Sequence, residues 1–138
     1  MKTSARIAVK YEFACIYREF GLYKQLVELC KTNKPGIIEK DAACMFLHSF
    51  YTGIEKIIIH VLAGYNKKIP DNKRWHIIVL NSAFEKIGER SALINITLQK
   101  QLHDYLKFRQ YIRRTCHITK MKKVLCIYSL MMEKFAKE

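Results

Sequence analysis

Apolar residues recur at spacings of three and four along most of the chain, the period of helices with one buried face. Residues 4–32 place Ile7, Tyr11, Ala14, Tyr17 or Arg18, Leu22, Leu26 and Leu29 in one stripe, which predicts a long first helix with Gly21 as a possible bend. Residues 38–65 put Leu47, Phe50, Ile54, Ile57, Ile58, Val61 and Leu62 on one face, with Glu55 and Lys56 off it. Arg74 to Ile87 is a shorter amphipathic segment with Trp75, Val79, Leu80 and Phe84 inward. Asn95 then offers an N-cap for a helix running to about Cys116, and residues 119–136 close the chain with Val124, Tyr128, Met131 and Phe135 as their stripe.

The breaks between these stretches are short: NKPG at 33–36, NKKIPDN at 66–72 and GERSALIN at 88–95. Long helices joined by short loops pack as antiparallel neighbours. The expected architecture is therefore all-α, an up-and-down bundle of four main helices plus one short helix, forming a single domain over residues 1–138. Strand-like alternation and internal repeats are absent from the sequence.

Composition sharpens this picture. Half of the residues are apolar, with only 5 Gly and 2 Pro, which excludes a disordered chain and a turn-rich all-β fold. Lys and Arg number 25 against 12 Asp and Glu, a formal charge of +13 whose field attracts polyanions before any specific contact forms. The expected partner is RNA, DNA or an acidic protein. No uninterrupted apolar run approaches a membrane span and the start MKTSARIAVKYEF lacks a signal-peptide core, so the expectation is a soluble, cytoplasmic protein with no membrane partner. Cys15, Cys30, Cys44, Cys116 and Cys126 are widely spaced without a CxxC pair and read as reduced, mostly buried thiols.

The chemistry concentrates in FRQYIRRTCH at 108–117, with Arg109, Arg113, Arg114 and His117. At about 100° per residue, Arg109 falls in the same arc as Leu98, Leu102, Tyr105, Ile112 and Cys116. A guanidinium on a buried arc needs a carboxylate, carbonyls, a wet cleft or a subunit boundary. Arg109, Arg113 and His117 follow at intervals of four, the first and last about 12 Å apart on a regular helix. An arginine offers paired hydrogen bonds to phosphate oxygens gaining charge, and an imidazole beside cations suits proton transfer at an RNA 2′-hydroxyl. Neither role requires a metal or cofactor. The competing reading of the same residues is a solvated basic face with a histidine capping the helix end.

Three stretches, LHSFYTGIEKII at 47–58, RWHIIVLNSAF at 74–84 and RSALINITLQKQLHDYLKFRQYIRRTCH at 90–117, resemble HEPN-domain proteins. The likeness is to the HepT-like toxins encoded beside a minimal nucleotidyltransferase antitoxin. It carries from about Asp41 to His117, and the flanking helices agree in pattern. The resemblance implies a helical bundle that forms a homodimer, with a cleft at the dimer interface where an Arg, four to six residues, then a His cleave RNA without metal. Arg109, preceded by Phe108, matches the motif arginine.

Beyond Arg109 the sequence departs from that pattern: Arg114 stands five residues on, where His or Asn is usual, and Cys116 seven on, where the family has Tyr. His117 is eight residues from Arg109 and four from Arg113, so neither pair keeps the spacing. Cys116 also lacks the hydroxyl that partner nucleotidyltransferases adenylylate. The resulting expectation is a metal-independent endoribonuclease with Arg109, His117 and Arg114 as catalytic residues and Lys107, Arg113 and Arg114 holding RNA. Two alternatives stay open: an inactive HEPN domain that binds RNA or docks a nucleotidyltransferase, and a purely structural helical adaptor. Glu55 lies where the family keeps an acidic residue, either paired with Arg109 or another buried cation or exposed as a surface carboxylate, and His76 matches a position read as structural. His48, His60 and His103 have no partners at metal-ligand spacing, and Tyr51 and Tyr105 read as core aromatics.

Overall fold

In the computed structural model, residues 1–32, 36–87, 91–93 and 95–111 are described. They form α1 (Thr3–Leu22), α2 (Lys24–Thr32), α3 (Ile37–Gly64), α4 (Trp75–Ser82) and α5 (Ile96–Tyr111), with no strand among them. The fold is the all-α bundle that the periodicity predicts. The segment 119–136, expected as its last helix, lies outside the described residues.

The central element is α3, 28 residues or about 42 Å long. Its whole expected face is buried, and Ala43, Cys44, Phe46, Tyr51 and Gly53 are buried with it. By length and hydropathy alone α3 would cross a membrane, but 61% of that window is buried inside the bundle, as in the core helix of a soluble protein. Its end is a Schellman motif: Asn66 adopts φ 57, the Asn66 N–H donates to the Ala63 carbonyl at 3.0 Å, and the Lys67 N–H donates to that of Leu62 at 2.9 Å.

α1 runs antiparallel along α3, the Lys2 N–H meeting the Gly64 carbonyl at 3.2 Å. The expected inward stripe of α1 is corrected. Ala5, Val9, Glu12 and Ile16 are buried, whereas Ile7, Tyr11, Ala14, Tyr17 and Leu22 are exposed. Both sets keep helical spacing, half a turn apart, so periodicity alone cannot rank them. What selects the inner set is the shape of α3. A Cβ added at Gly53 would sit 2.9 Å from the Ile16 Cδ1, and one at Gly64 would sit 2.8 Å from the Ala5 Cβ. Larger residues at either place would hold α1 away from α3.

The long first helix is also interrupted, at Tyr23 and not at Gly21. Tyr23 has φ −97 and ψ 12, and its N–H closes α1 on the Glu19 carbonyl at 2.9 Å. Aromatic packing holds the junction: Phe20 meets Phe46 and Phe50 edge-on at 5.0 and 5.7 Å, and Tyr23 lies 5.3 Å from Phe46.

α4 ends at Ser82, five residues before the expected limit of Ile87. The Ala83, Phe84 and Glu85 N–H groups bond three residues back, and the Leu93 N–H reaches the Ala83 carbonyl at 2.8 Å, so the chain turns back there. Val79, Leu80, Ala83, Ile87 and Leu93 join the core, with Trp75 and Phe84 partly buried against it. The Gln99 N–H donates to the Asn95 carbonyl at 3.0 Å, placing Asn95 at the start of α5 as expected. Leu102 is buried to 1% exposure and anchors α5 in the core.

Candidate functional site

α4 is the short element that joins the long helices through polar side chains. From α3, Glu55 reaches the His76 Nδ1 with Oε1 at 2.7 Å; the side chain of Glu55 is 6% exposed and the imidazole about one-quarter exposed. The Trp75 ring lies against the imidazole, centroids 3.5 Å apart. From the far end of α4, Asn81 accepts at Oδ1 from the His103 Nε2 on α5, at 3.0 Å. The series α3 carboxylate, α4 imidazole, α4 amide, α5 imidazole therefore ties the core helix to the helix that carries Arg109.

The chemistry of the first pair follows from its geometry. A buried carboxylate at Nδ1 holds that nitrogen as a donor and fixes the orientation of the ring. Glu55 is thus not a surface carboxylate, and the half-buried His76 is one of its partners. Its expected position off the apolar face is corrected for the same reason: α4 covers the flank of α3 on which Glu55 sits. The structural reading of His76 agrees with this tie between helices.

The other expected residues fall as follows. Lys107 and Arg109 stand near the end of α5, which is helical through Tyr111. Arg109 follows Leu102 by seven residues, which places it within about 20° of that buried position on the helix circumference. Arg113, Arg114 and His117, and with them the Arg109 to His117 spacing, lie outside the described residues. Tyr51 is a core aromatic at 1% exposure. Cys15 and Cys44 are free thiols, half-buried and buried respectively.

Three partnerships were not visible in the sequence: Asn81 with His103, His60 Nε2 with Glu12 at 3.8 Å, and Ser49 donating to Glu19 at 2.6 Å. The last two join α1 to α3 and account for both carboxylates of α1. The signal that could have exposed them is a carboxylate within the buried stripe, since Glu12 lies in line with Val9 and Ile16 and demands a polar partner there.

A family model described as HepT-like protein matches residues 42–137. The chain belongs to the HepT-like family. The matched span of this HepT-like protein takes in Glu55, His76, Lys107, Arg109, Arg113, Arg114 and His117, whereas α1 and α2 precede it. Comparison with curated proteins and with solved structures found no match.

Proposed function

We propose that this HepT-like protein is an endoribonuclease of the HEPN toxin type, working without a metal, as a homodimer in whose shared cleft RNA is cut. The observation that carries this reading is Phe108 followed by Arg109, inside the HepT-like span and in register with the buried Leu102 on a helix that α4 fastens to the core. A guanidinium at such a position stabilises charge developing on phosphate oxygens.

In the proposed reaction His117 takes the proton of an RNA 2′-hydroxyl. The 2′-oxygen bonds to phosphorus, the bond from phosphorus to the 5′-oxygen breaks, and a proton is returned to that leaving oxygen. In this reading the roles assigned are phosphate stabilisation to Arg109 and Arg114, and binding of the flanking backbone to Lys107 and Arg113. A minimal nucleotidyltransferase antitoxin is the proposed protein partner, and the cytoplasm the proposed site of action.

A second reading, an inactive HEPN domain that binds RNA or docks a nucleotidyltransferase, is favoured by Arg114 and Cys116, which replace the family's usual base and tyrosine. Incubating the purified chain with structured RNA in EDTA, beside its Arg109→Ala variant, separates the two. Cleavage by the parent chain and none by the variant is expected. Intact RNA, together with stable co-purification of a nucleotidyltransferase encoded next door, establishes the second reading instead.

A further inference from the structure

The outer face of α1 is a feature that the site above does not use. Ile7, Tyr11, Tyr17 and Leu22 are 64%, 67%, 68% and 72% exposed there. The charges that α1 itself exposes around them are of one sign. Lys2, Arg6, Lys10 and Arg18 are exposed, whereas the two carboxylates of α1, Glu12 and Glu19, face α3 and meet His60 and Ser49. At about 100° per residue Lys10, Ala14, Ile7 and Arg18 fall in the arc between the two tyrosines, whose positions are about 9 Å apart along the axis. Two aromatic rings therefore flank a strip of cations, with a small alanine between them.

We propose that this outer face of α1 is a binding track for single-stranded RNA, with Tyr11 and Tyr17 stacking on bases and Arg6, Lys10 and Arg18 neutralising phosphates. Charge decides in favour of this occupant. A second copy presenting the same face would bring cations against cations with no exposed carboxylate of α1 to offset them, whereas a polyanion with planar bases satisfies both the charge and the rings. Tyr11 is also in the right ionisation state for stacking beside phosphate. A phenol is neutral near pH 7 at its ordinary value, and the hydrogen bond with Cys15 and the charge of that residue, then desolvation and Glu12, raise the value further against the opposing effect of Arg18. The inference rests on the proposed function in taking RNA as ligand. It lies wholly outside the HepT-like span, on a helix that precedes residue 42.

The test is fluorescence anisotropy of the full chain with a labelled, unstructured 2′-O-methyl oligoribonucleotide, which lacks the free hydroxyl needed for cleavage. Tyr11→Ala and Tyr17→Ala are each expected to weaken binding by about 5- to 160-fold. Arg6→Ala, Lys10→Ala and Arg18→Ala should each lower the slope of log affinity against log salt by about 0.7. Both rings are mainly exposed, so the thermal midpoints should stay near the parent's; the charge reversal Lys10→Glu provides an independent variant and should also weaken binding.

Unchanged affinity in the tyrosine and Lys10→Glu variants overturns the track. So does loss of self-association by sedimentation in the tyrosine variants with probe binding retained, which assigns the face to a second copy. Failure of the nuclease reading looks different: tyrosine-dependent binding of the probe with natural RNA left uncut sinks the nuclease and leaves the track standing. Arg109-dependent cleavage with binding indifferent to α1 sinks the track alone.

Discussion

Replacing His76 by alanine tests whether α4 is held in place by the buried Glu55 carboxylate. The substitution removes a 2.7 Å bond to a side chain that is 6% exposed, so water does not readily take the imidazole's place. A hydrogen bond to a charged group contributes roughly 1.5–3 kcal/mol, and removing one partner of a buried pair costs about 3–5 kcal/mol when the other is left bare. Glu55 has a further interaction, so the carboxylate is not left bare and the lower part of that combined range applies, about 2–3 kcal/mol. For a chain of 138 residues this lowers the thermal midpoint by about 6–15 °C.

Urea denaturation of the parent, His76→Ala, Glu55→Leu and the double variant gives the coupling directly. The double variant should lose less than the sum of the single losses by about 1–2 kcal/mol, because an apolar pair no longer strands a buried polar group. A loss below about 0.5 kcal/mol in His76→Ala, or additive losses in the cycle, would refute the view that this pair fastens α4 to the core. Cleavage by His76→Ala should fall along with the fraction of folded protein, and recover at low temperature, if the imidazole positions helices and takes no part in the chemistry.

The other predictions probe separate parts of the bundle. Leu102→Ala, at a position 1% exposed, should cost about 2–5 kcal/mol by urea denaturation. Gly53→Ala should destabilise by about 1–2 kcal/mol through its 2.9 Å approach to Ile16, even after the gain in helix propensity, and Ile16→Val in the same chain should restore part of the loss; a Gly53→Ala variant more stable than the parent contradicts the close approach of α1 and α3. Arg109→Ala should abolish RNA cleavage with its far-UV circular dichroism spectrum unchanged, and full activity would reject the assignment of that residue.

Whatever rests on local periodicity and on unambiguous burial was legible along the chain. α3 begins and ends within one residue of the expected limits, because its apolar positions wrap nearly all round and NKPG and NKKIPDN interrupt them on either side. Asn95 opens α5, and Leu102 faces the core, for the same kind of reason. The arginine-rich stretch after Phe108 was equally legible, as composition and as a resemblance that the HepT-like match over residues 42–137 supports.

Tertiary structure decided the rest, since the sequence offered two solutions or none. α1 carries two rows at helical spacing, and only the glycines of α3, with His60 set opposite Glu12, select Val9 and Ile16 over Ile7 and Tyr11 as the buried row. The early end of α4 depends on a backbone bond between Ala83 and Leu93, and the burial of Glu55 on a histidine 21 residues away. Such choices are made by contacts between distant segments, whose energies no local window of residues contains. The face of α1 that packing leaves outside, tyrosines among cations, is a product of that selection.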